Sequence, residues 1–285
     1  MKKLIIRADD VGYTQVRNIG TFESIDNGVV TAADIMLDTP GTVEALEQLR
    51  KRPWISVGWH AHFWGSPVLG AEKVPSMYDV SRSGFRKDLN TAEDVVFEEA
   101  LAEGRAEMDL CVKILGKAPD MSGFDSGDSP LGRSMTQVME EYGIVHHCIT
   151  PLQSSGSYAV AGRKVDPKWE GKIYGTSARP YSALNTDSLT EIEKYDPIEY
   201  YLSGGDLELV PDGAAAMHAW HPGYVDYYVY RLGDYDPKAR NYIQIRTVDV
   251  HALTSDAVKN WIKENGIELV NFRDALYGTK DYQNY

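Results

Sequence analysis

The chain has no apolar stretch approaching 18 residues, no run of basic residues and only two cysteines. Each absence removes a class of protein. Without a long apolar stretch, no membrane-spanning helix is expected. Without clustered Lys and Arg, and with a formal net charge of -13, nucleic acid is not an expected partner. Cys111 and Cys148 show neither metal-site spacing nor a disulfide framework, and Cys111 lies among apolar residues of a helical pattern, as a core thiol would. The turn after the first apolar run lacks Gly-x-Gly-x-x-Gly, which argues against a Rossmann dinucleotide site. There is no internal repeat and no low-complexity linker. Met1-Lys2-Lys3 resembles the start of a signal peptide, but Arg7 and two acids end the apolar run after Ile6, so the default expectation is cytoplasmic.

What is present is an alternation of short apolar runs with helical patterns. Strands are expected at Leu4–Ala8, Val29–Leu37, Ile55–Phe63, Met121–Asp125, Ile144–Ile149, Leu207–Val210, Ala214–Trp220 and Ile267–Asn271. Helices are expected from Thr14 to Asn27, with Thr14 as cap and Gly28 as stop, and over Val43–Lys51 and Thr91–Leu115. Others are expected over Leu131–Tyr142, Pro237–Leu253 and Ser255–Asn265. Strand following helix over most of the length predicts a mostly parallel sheet covered by helices. The fold class is α/β: a single-domain irregular (β/α) barrel with mostly parallel strands, spanning residues 1–285. Two long, turn-rich segments, Trp64 to Asn90 and Thr150 to Ser188, interrupt the pattern, as functional loops do. Eighteen Tyr and six Trp supply flat faces that serve a carbohydrate cleft or an interface equally well.

The residues that can carry chemistry cluster at strand ends. Leu4-Ile5-Ile6-Arg7-Ala8-Asp9-Asp10-Val11-Gly12 delivers two adjacent carboxylates and then breaks at glycine. Neighbours on a strand point to opposite faces, so Asp9 and Asp10 are expected to do different jobs, one toward a metal and one toward a proton. His60 and His62, two apart on an expected strand, share a face, and imidazoles suit transition metals. Asp125 and Asp128 flank a turn, where Asp128 or Ser129 can also cap the following helix. His221 precedes Pro-Gly at a strand end, a suitable place for an acid or base. His218 reads as a core histidine, His146 and His147 as structural or rim residues, and His251 as a surface residue.

Taken together these motifs resemble the YdjC-like carbohydrate deacetylase family, which includes the diacetylchitobiose deacetylases. The matching segments are Ile6-Arg7-Ala8-Asp9-Asp10-Val11-Gly12, Asn27-Gly28-Val29-Val30-Thr31, Val57-Gly58-Trp59-His60 and Phe124-Asp125-Ser126. Toward the end come His221-Pro222-Gly223-Tyr224-Val225-Asp226 and Gly266-Ile267-Glu268-Leu269-Val270-Asn271-Phe272-Arg273. The resemblance implies an irregular β/α barrel, a divalent metal ion (Mg, Mn or Zn) and removal of acetyl from a small amino sugar or oligosaccharide. It carries over Asp9 as general base, Asp10 and His60 as metal ligands and His221 as acid toward the leaving amine. The sequence departs from the family at Gly127, where a ligand histidine is usual. Asp128, Asp125 or His62 can fill the gap. Asp128 is the expected substitute, because it adjoins the vacated position while a regular strand puts His62 about 6 to 7 Å beyond His60. An Asp, Asp, His set favours magnesium or manganese over zinc. His62, Asp125, Trp64, Tyr224 and Arg273 are then expected to contact substrate, with Tyr78, Trp169 and Tyr181 as further stacking aromatics. A homodimer is expected from the aromatic load and the habit of the family. The alternative that Gly127 raises is a non-catalytic sugar-binding or sensing protein on a deacetylase scaffold. A hydrolase or isomerase with another substrate would share the same site.

Overall fold

A computed structural model describes residues 1–125, 127–152, 164–175, 189–231 and 243–278. The strands are β1 (Lys3–Val11), β2 (Ala32–Ile35), β3 (Ser56–Trp59), β4 (Tyr78–Asp79), β5 (Gly84–Phe85), β6 (Met121–Ser122), β7 (Thr150–Pro151), β8 (Ile173–Gly175), β9 (Ala215–Trp220) and β10 (Glu268–Leu269). The helices are α1 (Gln15–Asp26), α2 (Thr42–Arg50), α3 (Phe97–Leu115), α4 (Pro130–Glu141), α5 (Leu189–Ile192), α6 (Pro197–Leu202), α7 (Tyr227–Tyr230), α8 (Ile245–Thr254), α9 (Asp256–Glu264) and α10 (Phe272–Tyr277). The main sheet runs β6-β3-β2-β1-β9-β8-β7, with β10 also paired to β1. Every described pairing in it is parallel. β4 and β5 form a small antiparallel hairpin inside the first long loop.

The sheet curls, and its two faces bury different clusters. Leu4, Ile6 and Ala8 of β1 face the helices with Ala33 and Val57. Ile5 points the other way, into an interior shared with Ala32, Ile173, Ala215 and Met217. Both faces of β1 are therefore buried, which is why Leu4, Ile5 and Ile6 follow one another without polar alternation. The amino end of this interior is plugged by α10, whose Phe272 and Leu276 join the inner cluster. The Phe272 N–H donates to Ser56 Oγ at 3.1 Å. On the far side, Met121 bridges in parallel to Val145, so the segment leading to β7 draws toward β6. A curled parallel α/β sheet of half-barrel form matches the expected irregular barrel.

Several elements differ from the sequence reading. The Thr14 cap is as expected, its hydroxyl accepting from the Arg17 N–H at 3.0 Å. α3, however, starts at Phe97 and not at Thr91. Asp94 is drawn to Arg86 at 3.0 Å, and the Val96 N–H is satisfied by Ser76 Oγ at 2.9 Å. Leu207–Leu209 forms a short 3-10 turn in place of a strand. Ile144–Ile149 contributes a single bridge, because His147 takes a left-handed backbone, φ 51°, that breaks a ladder. The expected helix Pro237–Leu253 begins at Ile245, with residues 237–242 outside the described set. No helix among the described residues is long and apolar enough to cross a membrane.

His218 lies on β9 facing outward, fully buried. Its ring packs against Tyr200 and Tyr201 of α6, with Nδ1 3.3 Å from the Tyr201 hydroxyl. Burial holds its pKa down to about 3. The unfolded chain protonates near the ordinary 6.5, so the folded state binds fewer protons between these values. The stability this group contributes is complete above about pH 6.5 and is lost as pH falls toward 3. His218→Gln is expected to shrink the fall in urea midpoint between about pH 7 and about pH 4.5. An unchanged fall would show that His218 is not held neutral.

Candidate active site

Alternation along β1 puts Arg7 and Asp9 on the inward face, above Ile5. The Arg7 guanidinium closes on Asp9 through both oxygens, with Nε to Oδ1 at 2.5 Å and Nη2 to Oδ2 at 2.7 Å. Its Nη1 lies 3.0 Å from Asp34 Oδ2 of β2. A cation inside an apolar barrel is tolerable only with such partners. Asp34 in turn needs room, and its register partner on β3 is Gly58. A Cβ at Gly58 would stand 2.0 Å from Asp34 Oδ1.

After Ala8 the strand bulges. Ala8 pairs with Ala33 and Val11 with Ile35, so three steps on β1 oppose two on β2. Asp10 absorbs the extra residue with φ 56°, a left-handed conformation that aspartate tolerates better than most residues. The bulge is clamped by Arg17 of α1, which is fully buried. Its Nε donates to the Asp10 carbonyl at 3.0 Å, and its Nη2 to the Asp9 carbonyl at 3.1 Å. Nη2 also reaches Asp10 Oδ2 and the His221 carbonyl, each at 3.3 Å. Arg246 Nη2 stands 3.5 Å from the same Asp10 Oδ2.

The other carboxylate oxygen of Asp10 faces two imidazoles. His60 follows β3, with Nε2 3.0 Å from Asp10 Oδ1 and Nδ1 3.8 Å from Asp34 Oδ2. The expected strand to Phe63 ends at Trp59. The His62 N–H instead donates to the His60 carbonyl at 2.9 Å, and Phe63 turns left-handed at φ 55°. This curl brings the His60 and His62 ring centroids to 4.0 Å and His62 Nε2 to 3.9 Å from Asp10 Oδ1. Asp10, His60 and His62 each offer a ligand atom within 4.8 Å of the others, the single such group among the described residues.

His221 directly follows β9, on the inward register of Met217. Its backbone N–H donates to Asp249 Oδ2 at 2.9 Å, and Asp249 Oδ1 accepts from the Tyr195 hydroxyl at 2.5 Å. Burial opposes ionisation of Asp9, but Arg7, His60 and His221 outweigh it and lower its pKa. Asp10 is held well below the carboxylate range, Arg17 and the His60 hydrogen bond overcoming burial. Burial dominates at Asp34 and Asp249 and raises each to about 6. Burial, aided by His60 and by Arg246 respectively, lowers His62 and His221 to about 3. The resting cluster thus has ionised Asp9 and Asp10 beside neutral His62 and His221. An ionised carboxylate and a neutral imidazole are the forms in which these groups bind metals.

Asp9, Asp10, His60, His62 and His221 therefore meet at the carboxyl ends of parallel strands, where α/β barrels build active sites. Other expected site residues do not join them. Asp128 is exposed, and its carbonyl accepts from Arg133. Its place in the cluster is taken by His62, because a curled chain, unlike a straight strand, returns the second imidazole to the first. Asp125 sits on the rim, accepting from the Gly127 N–H at 2.9 Å, 3.9 Å from His147 Nδ1. Tyr224 is tied to α1 through Glu23 at 2.6 Å. Arg273 lies at the opposite, amino end of the sheet, paired with Asp120 at 3.2 Å. Trp169 belongs to the inner core at that same end, against Tyr277. Tyr78 lies on the β4–β5 hairpin, and Ser126 and Tyr181 fall outside the described residues. Trp64 does adjoin the cluster, stacked on His62. Arg7, Arg17, Asp34, Arg246 and Asp249 went unread in the sequence. The one available signal was Arg7, the single charge within the expected strand Leu4–Ala8.

A family model described as "YdjC-like protein" matches residues 3–264. A carbohydrate deacetylase of Enterococcus faecalis is 27% identical over 275 residues, covering 95% of this chain and 97% of that protein. A carbohydrate deacetylase of Brevibacillus brevis is 27% identical over 278 residues, covering 95% and 99%. The solved structure of an Enterococcus faecalis protein named for cellobiose-phosphate cleavage superposes with a TM-score of 0.66 at 24% identity, covering 96% of this chain and 98% of that one. That likeness supports the fold.

Gly58→Ala tests the interior packing. The added methyl must displace Asp34 from beneath Arg7, and overpacking of this kind costs about 1–3 kcal/mol of stability. Chemical denaturation of Gly58→Ala, Asp34→Ala and the double variant is expected to show strong coupling, the methyl costing much less once Asp34 is gone. Additive losses would mean that the contact is not the constraint.

Proposed function

The chain belongs to the YdjC-like family, and we propose that it is a metal-dependent deacetylase acting on a small acetylated amino sugar or oligosaccharide. The observation that carries this reading is the convergence of Asp10, His60 and His62 beside a carboxylate and a further imidazole. Asp10 ionised and His62 neutral are already the forms that bind a divalent ion. At His60, by contrast, burial is outweighed by the Asp10 hydrogen bond and by Asp9, which raise the pKa, so an ion would displace a proton there. With His62 in place of Asp128, the donor set leans from magnesium toward zinc and its transition-metal neighbours. Such an ion, when bound, polarises an acyl oxygen and acidifies water. The names of the relatives support carbohydrate as the substrate class.

The protein's own residues divide the remaining work. Asp9 is the base toward an attacking water. Each of its oxygens accepts one N–H from Arg7 and keeps a second lone pair for that water. The clamp fixes the carboxylate's orientation, which is the larger part of a base's task at a site. His221, neutral at rest, takes up the proton that Asp9 draws from the water and delivers it to the departing amine, which leaves both groups as they began. Asp249 holds the His221 backbone, so the imidazole approaches from β9 while Asp9 approaches from β1.

One observation favours a second reading, a sugar binder without turnover. Arg17 and Arg246 both lie on Asp10 Oδ2 and already offset much of the charge a cation would use. Metal analysis and sugar calorimetry separate the two, since a stoichiometric ion with turnover eliminates the binder.

The direct test is acetate release from a panel of acetylated amino sugars and oligosaccharides with zinc, cobalt, manganese or magnesium added. Asp9→Asn is expected to lower turnover by about 10²–10⁴-fold with the ion retained. His62→Ala and Asp10→Asn are expected to lose the ion, and Asp128→Ala to keep it. Silence across all metals and substrates would overturn the proposal. Metal loss in Asp128→Ala but not in His62→Ala would overturn the assignment of the third donor.

A further inference from the structure

We infer that Trp64 is a positioning residue, whose indole, stacked flat on the His62 imidazole, holds that ring where it meets Asp10 and His60. The inference rests on the metal-site reading above and adds to it how a donor carried by a loop is kept in place.

His60 and His62 are held differently. His60 continues the sheet, its N–H donating to the Ile35 carbonyl at 2.8 Å, and its two ring nitrogens face Asp10 and Asp34. His62 has left the ladder, and its side chain is 37% exposed. Among the described residues none hydrogen-bonds its ring, and Asp10 at 3.9 Å is beyond hydrogen-bond reach. A ligand histidine is ordinarily oriented by a hydrogen bond on its second nitrogen. Here the orienting contact is a flat one. The His62 and Trp64 rings lie 4.4 Å apart with planes 8° from parallel.

Trp64 is itself braced from both sides of the site. The Gly65 N–H donates to Asp38 Oδ2 at 2.7 Å and the Ser66 N–H to the Asp38 carbonyl at 2.9 Å, fixing the backbone just past the indole. The approach is so close that a Cβ at Gly65 would stand 1.9 Å from the Asp38 carbonyl oxygen. Tyr13, 2% exposed, sets its ring edge-on to Trp64 with centroids 6.0 Å apart. The Tyr13 N–H reaches back to the Asp10 carbonyl at 3.3 Å. A chain of rings, Tyr13–Trp64–His62, thereby links the β1 bulge bearing Asp10 to the loop bearing His62. With one face on His62, Trp64 has less surface for a sugar than its sequence position suggested.

The test is zinc and cobalt(II) binding by the whole protein, by calorimetry and by the visible absorption of bound cobalt. Trp64→Ala is expected to weaken zinc binding by about 10–100-fold and to alter the cobalt spectrum, with Trp64→Phe restoring most of both. A second measurement needs no metal. Subtracting the Trp64→Phe emission from wild type isolates the Trp64 fluorescence, and the same subtraction in a His62→Ala background is expected to give a brighter signal. Wild-type protein that takes up neither ion would overturn the metal reading and this inference together. Wild-type protein that binds them, with Trp64→Ala indistinguishable from it, would overturn this inference alone. An emission unchanged by His62→Ala would do the same, by showing that the stack does not exist in solution.

Discussion

Inside the curled sheet, one layer above Ile5 and Met217, the Arg7 guanidinium lies between the carboxylates of Asp9 and Asp34. A charge in such a place is costly unless it is matched and hydrogen-bonded. The rest of the site follows from that requirement. Asp34 must point inward from β2, which puts a carboxylate behind the far nitrogen of His60. Its bulk then leaves no space for a side chain at position 58. Asp9 is locked at both oxygens, so its direction is set by the barrel interior and not by the solvent-facing loops.

The second constraint is the bulge. A regular β1 would send Asp9 and Asp10 to opposite faces, one into the barrel and one among the helices. The extra residue and the left-handed Asp10 bring both carboxylates to the same end of the barrel. Backbone in that region persists only when its surroundings over-determine it. Arg17 does so, bonding two carbonyls of the bulge, the Asp10 side chain and the His221 carbonyl with one guanidinium. One buried cation on α1 thus binds β1 to β9, the strands that carry the acid and base candidates. Arg246 and Asp249 extend the same charge balance to α8.

Much of the architecture was legible because it rests on local signals. The Thr14 cap, the Gly116 stop of α3 at φ 92°, and Ser129 with Pro130 opening α4 all stand where their chemistry predicts. Boundaries failed where a distant residue competed. The helix expected from Thr91 starts only at Phe97, because Asp94 pairs with Arg86. The run from Ile55 to Phe63 was apolar enough for one strand, yet its last residues serve a loop whose shape depends on Asp38, Phe85 and Phe124.

The sequence by itself determined the alternation of strand and helix, hence a parallel sheet with its loops at the carboxyl end. It also determined that Asp9, Asp10, His60 and His221 sit at strand ends, because a break in apolar character marks where a strand leaves the core. Only the tertiary structure decided that His62, and not Asp128, completes the cluster. Only it showed Arg273 and Trp169 at the barrel's opposite end and the buried arginines holding the acids. Those outcomes turn on backbone curvature at Phe63 and on pairings between residues far apart in the chain, such as Arg17 with His221 and Arg246 with Asp10. Spacing along the chain reports which face a side chain takes on a regular element. It carries no information on where an irregular turn will aim it or which distant charge will meet it.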